Sequence, residues 1–206
     1  MRRIIFTVNC LLLLTATASA AEPIFRVVRS ADASVNLLRN GGFEEMQGEQ
    51  PAGWSAWKSG FRMAAGEGRG GSRAVVCENA SGKEEHGVGQ TLTLNRTAVA
   101  PLIVRGWSKA QDVSRGADPG YSIYVDLVYN DGTPLWGQTA NFHCGTHDWQ
   151  QRELLILPEK PVKSLSVYCL LRGHTGKAWF DDVAVEESKV EGGAVVFQGA
   201  PVRFAP

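Results

Sequence analysis

Between residues 36 and 187 apolar and polar residues alternate in short runs separated by Gly, Asn, Asp and Pro. A period of two sends successive side chains to opposite faces of a strand, so the stretch predicts strands with one buried face; no window carries a sustained helical stripe. In 121–129 the apolar set is Tyr121, Ile123, Val125, Leu127 and Tyr129, leaving Ser122, Tyr124 and Asp126 opposite. In 102–110 the small and aliphatic set is Leu102, Val104, Gly106, Ser108 and Ala110, and Arg105, Trp107 and Lys109 share the other face. In 165–172 Leu165, Val167, Cys169 and Leu171 point inward, with Tyr168, Leu170 and Arg172 pointing away. Val183 and Val185 set the parity of the final strand, and strict alternation carries Trp179 and Asp181 to the same inward side. Many short strands with turns between them predict an all-β fold, a two-sheet antiparallel β-sandwich.

Composition sharpens the picture. The 206 residues, 44% hydrophobic with 23 Gly and 9 Pro, fit one compact domain with a sizeable core and many turns. Twenty-one basic residues balance 21 acidic ones without a long block of either sign, which argues against a nucleic-acid partner. Residues 1–20 read as a secretory signal: Arg2 and Arg3, the apolar stretch from Ile4 to Leu14, then Ala18-Ser19-Ala20. That stretch is shorter than the roughly 20 residues of a membrane span, and no later one is longer. The expected organisation is a signal peptide over 1–20, a lead-in over 21–35 with a possible edge strand at 24–28, the sandwich over 36–187, and a linker or tail over 188–206. The expected location is secreted or periplasmic. After export Cys77, Cys144 and Cys169 remain, so at most one bridge forms, Cys144 with Cys169 being the better placed pair and free buried thiols the alternative. Asn79 and Asn95 stand in sequons.

The domain opens with Asn40-Gly41-Gly42-Phe43-Glu44-Glu45 and closes with Trp179-Phe180-Asp181-Asp182-Val183. Between them lie Gly70-Gly71-Ser72-Arg73-Ala74-Val75-Val76, Arg105-Gly106-Trp107-Ser108-Lys109-Ala110 and Gly145-Thr146-His147-Asp148-Trp149-Gln150. In this order the five segments resemble the galactose-binding-like β-jelly-roll carbohydrate-binding modules, which accompany secreted glycoside hydrolases. The resemblance implies a non-catalytic module with a poly- or oligosaccharide as partner, in some chains beside a catalytic glycoside hydrolase domain. It also implies a structural calcium site joining the two ends, carried over onto Glu44, Asp181 and Glu67. Calcium takes about six to eight oxygens from carboxylates and loop carbonyls, which suits this set. The alternative is that Glu44 and Asp181 pair with basic side chains or cap turns.

A sugar presents apolar C–H faces ringed by hydroxyls, so its binding surface needs exposed aromatic planes beside hydrogen-bonding groups. The non-core face offers Arg105, Trp107, Tyr124, Asp126 and Tyr168, extended by Trp136 and Gln138. Trp149 and Trp54 read as packing residues and Trp57 as a rim residue. His143, Cys144 and His147 suggest zinc, but a closed site needs four ligands and only distant Cys169 or His174 could supply another. Adjacent acidic doublets face opposite sides of a strand, and no nucleophile elbow, phosphate loop or His-Glu-x-x-His stretch occurs, so an enzyme is not expected. The competing class is a ligand-free spacer domain packed on a catalytic one.

Overall fold

The computed structural model describes residues 35–187 with their side chains and residues 26–28, 189–191, 195–197 and 200–202 as strands. The expected signal peptide and most of the lead-in lie outside the described residues. In chain order the strands are β1 (Arg26–Val28), β2 (Met46–Gln47), β3 (Gln50–Pro51), β4 (Ser55–Lys58), β5 (Arg62–Ala65), β6 (Arg73–Asn79), β7 (Glu85–Thr93) and β8 (Leu102–Val113). They continue with β9 (Tyr121–Tyr129), β10 (Pro134–Asn141), β11 (Gly145–Ile156), β12 (Val162–Arg172), β13 (Gly176–Glu187), β14 (Lys189–Glu191), β15 (Val195–Phe197) and β16 (Ala200–Val202). β1 pairs with β14, and the apolar run at 195–197 pairs with β16.

Two five-stranded antiparallel sheets form the sandwich: a front sheet in the order β10-β9-β12-β7-β4 and a back sheet in the order β11-β8-β13-β6-β5. The fold is therefore the expected all-β sandwich. Alternation places Tyr121, Ile123, Val125, Leu127, Leu165, Val167, Cys169 and Leu171 of the front sheet against Leu102, Val104, Val75, Cys77 and Phe180 of the back sheet, all buried. Fully burying each large apolar side chain contributes about 1.5–3 kcal/mol. Inside the core the Tyr121 hydroxyl meets Ser108 Oγ at 2.7 Å, and that Oγ lies 2.6 Å from the Trp179 carbonyl, so the buried polar atoms are paired.

The parity read for β13 fails at one point. Pairing with β8 shifts register between Asp181 and Ala184, and Asp182 holds φ +48, a bulge that adds one residue. Val183 and Val185 remain inside, but N-terminal to the bulge the inward residues are Ala178 and Phe180. Trp179 and Asp181 instead face outward, opposite Lys109 and Trp107, and are buried there by the 67–72 loop.

The two ends of the domain do meet, through amides. Asn36 Nδ2 donates to the Val183 carbonyl at 2.9 Å, while its Oδ1 accepts from Leu38 N and Val185 N, each at 3.0 Å. Val183 N also donates to the Gly41 carbonyl at 2.9 Å. A Cβ on Gly41 would lie 2.0 Å from the Val183 carbonyl oxygen, so this crossing requires glycine.

Candidate functional site

The outer face of the front sheet carries a row of aromatic rings. Tyr168 on β12 stands opposite Tyr124 on β9 and Gly89 on β7, and Trp57 on β4 stands opposite Gly87. Ring centroids are 6.5 Å apart for Trp57 and Tyr168 and 6.4 Å for Tyr168 and Tyr124. The two glycines make the row possible: a Cβ on Gly89 would come within 2.5 Å of Tyr168 Cδ1, and one on Gly87 within 3.2 Å of Trp57 Cε3. An open cleft of about 510 Å³ lies beside them, lined by Ser55, Trp57, Gly89, Gln90, Thr91 and Tyr168. Arg172 reaches back along the same face and sets its guanidinium 4.9 Å from the Tyr124 ring and 6.0 Å from the Trp57 ring. Apolar ring faces, half-buried and flanked by the hydroxyls of Ser55 and Thr91, are suited to a flat, polyhydroxylated ligand.

The β10 edge adds a projecting ring. The β9–β10 pairing shifts register between Leu135 and Gln138, Gly137 takes φ +72, and its N–H donates to Asp126 Oδ1 at 2.9 Å. The bulge leaves Trp136 57% exposed, the most exposed large aromatic among the described residues. Asp126 and Gln138 thus serve the bulge; Gln138 Nε2 donates to the Trp136 carbonyl at 3.1 Å.

The residues expected from the sequence to form one patch divide between two sheets. Tyr124, Asp126, Trp136, Gln138 and Tyr168 lie on the front sheet, whereas Arg105 and Trp107 belong to β8 in the back sheet, across the core. Outward parity is correct for all of these strands, but parity does not reveal which sheet a strand joins. Arg105 forms a two-pronged ion pair with buried Glu186, one arm at 3.0 Å, and the Arg69 guanidinium lies 3.8 Å from the Trp107 ring centroid. Beyond them Lys109 sits between Trp149 at 5.1 Å and Trp179 at 4.8 Å. The back face thus carries cation–aromatic contacts of its own, as the front face does around Arg172. Trp57 was expected only at a rim, and Arg172 and the glycines of β7 were not expected in the site. Their signal was Gly87-x-Gly89 inside a strand, since glycines recurring on one face mark a close approach.

The three carboxylates assigned to calcium each meet protein donors instead. Glu44 accepts from Arg73 N at 2.6 Å, and Glu67 from Trp179 Nε1 at 2.6 Å with Arg62 at 3.5 Å. Asp181 accepts from Arg69 N at 2.8 Å, Ser72 Oγ at 2.9 Å and Asp182 N at 2.7 Å, and Arg69 also pairs with Asp182. Burial pushes the Asp181 carboxyl above its ordinary range, while the Arg69 N–H and Ser72 hydroxyl oppose that shift. Among the described residues no cluster of three or more His, Cys, Asp or Glu able to hold a metal occurs.

The cysteines and histidines do not converge either. Cys77, Cys144 and Cys169 are free thiols. Cys144 Sγ is 3.9 Å from His174 Nδ1, and His174 Nε2 is 3.0 Å from Asp118, an arrangement that resembles a nucleophile, base and orienting acid. However, Nδ1 is held at 2.5 Å by the Ser114 carbonyl, so it faces an acceptor instead of the thiol, and burial pushes the Cys144 thiol up. His143 and His147 brace their own turn through Gln150 and the His143 and Asp148 carbonyls. Asn79 is 2% exposed, its amide donating to the Glu84, Leu171 and His174 carbonyls, so its sequon is closed to modification in the folded chain.

No described protein family matches the sequence. Among characterised proteins, 106 residues are 30% identical to tRNA nuclease WapA of Bacillus subtilis (strain 168), and 105 residues are 30% identical to tRNA3(Ser)-specific nuclease WapA of Bacillus spizizenii. Each match covers 49% of this chain and 4% of the nuclease. Among solved structures, the chain superposes on a family 16 carbohydrate-binding module with TM-score 0.53 and 15% identity, covering 73% of this chain and 99% of that one. It superposes on the CBM22-1 xylan-binding domain of Paenibacillus barcinonensis Xyn10C with TM-score 0.54 and 16% identity, over 77% and 97%. The enzymatically active domain of bacteriophage CBA120 tailspike protein 4 matches with TM-score 0.56 and 10% identity, over 74% of this chain and 21% of that one. The chain therefore shares the two-sheet β-sandwich fold of these carbohydrate-binding modules.

Proposed function

We propose that the chain is a non-catalytic carbohydrate-binding module that takes a poly- or oligosaccharide along the front sheet, over Trp57, Tyr168 and Tyr124. The observation that carries this reading is the row of three rings on β9, β12 and β4, with Gly87 and Gly89 of the intervening β7 clearing the space between them. Sugar C–H faces stack on such rings, and Thr91 and Ser55 supply hydroxyl groups at the edge. The superposition on modules whose full length is this one domain supports the same reading. In it, residues 1–20 export the chain, and its role is to hold a partner polysaccharide-active domain at its substrate, an effective-concentration gain that needs only modest affinity. The nucleases matched in sequence share only a small fraction of their length with this chain, so their activity is not carried over.

Isothermal titration against xylan, mannan, galactan and polygalacturonate, with Trp57→Ala as the control, tests the reading. Binding to at least one polymer that weakens in Trp57→Ala is the expected result. Failure to bind any of them would leave the domain as a ligand-free spacer.

A further inference from the structure

The front face carries a charge that its neighbours do not neutralise. Arg172 follows Tyr168 by four residues on β12, on the same side of the strand, and its guanidinium lies against two rings, 4.9 Å from Tyr124 and 6.0 Å from Trp57. Among the described residues no carboxylate lies within ion-pair distance of it. Glu85, its partner across the β7–β12 ladder, reaches Lys58 at 3.6 Å, and Asp126 accepts from the Gly137 N–H at 2.9 Å. Leu170, between Tyr168 and Arg172, is 1% exposed despite its outward parity, so this part of the outer face is covered.

A guanidinium packed against aromatic rings keeps N–H donors at its edge, and those donors match the two oxygens of a carboxylate in fork geometry. A neutral sugar stacked on Tyr168 and Tyr124 would leave this charge without a counterpart. In a uronic acid the carboxylate projects from the ring edge, so a pyranose lying flat on the tyrosines can direct it toward Arg172. We infer that the ligand of the front face is an acidic polysaccharide, with Arg172 receiving a uronate carboxylate while the rings hold the sugar planes. This rests on the front-sheet binding reading above.

The test titrates the full chain with polygalacturonate, neutral galactan and dextran sulfate at low and moderate salt, for wild type, Arg172→Gln, Arg172→Lys, Trp57→Ala and Lys177→Gln, with thermal melting as the check on folding. Loss of a charge-assisted, two-pronged contact corresponds to about 10- to 100-fold in Kd. Polygalacturonate is expected to bind at least about tenfold tighter than galactan, with that advantage lost in Arg172→Gln, partly kept in Arg172→Lys, and kept in Lys177→Gln on the opposite sheet. Polygalacturonate binding unchanged in a folded Arg172→Gln, equal or tighter binding to galactan, or equal binding to dextran sulfate would each overturn the uronate assignment. Galactan binding that Trp57→Ala removes, without a preference for polygalacturonate, would overturn this inference and leave front-sheet binding standing; no binding to any polymer would overturn both.

Discussion

Replacing Gly89 by alanine should separate the binding face from the scaffold that carries it. The added Cβ would stand 2.5 Å from Tyr168 Cδ1 and 2.8 Å from Cε1, whereas carbon atoms in favourable contact lie about 3.5–4.0 Å apart, so the ring must swing away by about 1 Å. Tyr168 is only half-buried and its ring opens toward the cleft, so it has room to move at a cost of about 0.5–1.5 kcal/mol in side-chain strain. In a domain of this size that is a fall of a few degrees in Tm, about 2–4 °C per kcal/mol. Binding should suffer more visibly, because a displaced ring forfeits a stacking contact of about 0.5–1.5 kcal/mol, or about 2- to 10-fold in Kd. Differential scanning calorimetry and isothermal titration on the polymer that wild type binds best give both numbers. An unchanged Kd in a folded variant would refute the assignment of Tyr168 to the ligand path. A fall in Tm beyond about 10 °C would show instead that Gly89 is needed by the fold.

Other expectations follow from the same contacts. Gly41→Ala forces a Cβ to 2.0 Å from a backbone oxygen that has no rotamer to move, so loss of a cooperative melting transition is expected. Asn36→Ala removes three hydrogen bonds, two of which join the ends of the domain, and each contributes about 1 kcal/mol, so chemical denaturation should show a loss of roughly 2–3 kcal/mol. Addition of EDTA should leave Tm unchanged, because Glu44, Glu67 and Asp181 meet protein donors; a drop would show that a cation stabilises the native state. Burial alone would raise the Asp118 carboxyl, but His174 and the Gly120 N–H hold it below its ordinary range. A carboxyl lowered on folding stabilises the native state above its unfolded pKa of about 3.9 and loses that contribution as pH falls through the folded value. Asp118→Asn should therefore flatten the fall of Tm below about pH 4, modestly, since its side chain is 43% exposed.

Much of this architecture is written in local alternation. β9 and β12 lie inside the front sheet with strong neighbours on both sides, so Tyr121 to Tyr129 and Leu165 to Leu171 bury every second residue, as the pattern implies. β13 breaks the pattern because Asp182 adopts a left-handed backbone and adds a residue, and nothing in Asp181-Asp182 distinguishes a bulge from a regular strand. The site was legible only in part for a different reason. Trp107 and Tyr124 have the same outward parity, but strand order depends on pairings between residues far apart in sequence, and these send one to the back sheet and the other to the front. Trp57 lies on a four-residue edge strand too short to show a period, and the role of Gly87 and Gly89 emerges only when the rings above them are in place. A sequence shows the acidic side chains at the two ends but not the backbone N–H groups of Arg69 and Arg73 that turn toward Asp181 and Glu44.

The central claim is that ligand lies on the front sheet, and it is tested most directly by comparing Trp57→Ala with Trp107→Ala, each confirmed folded by its melting transition, in titration against the same polysaccharide. Trp57→Ala should weaken binding by about tenfold, as loss of a buried aromatic contact implies, while Trp107→Ala, whose ring is capped by Arg69 on the opposite sheet, should match wild type. The reverse pattern, with Trp107→Ala impaired and Trp57→Ala unaffected, would contradict the account.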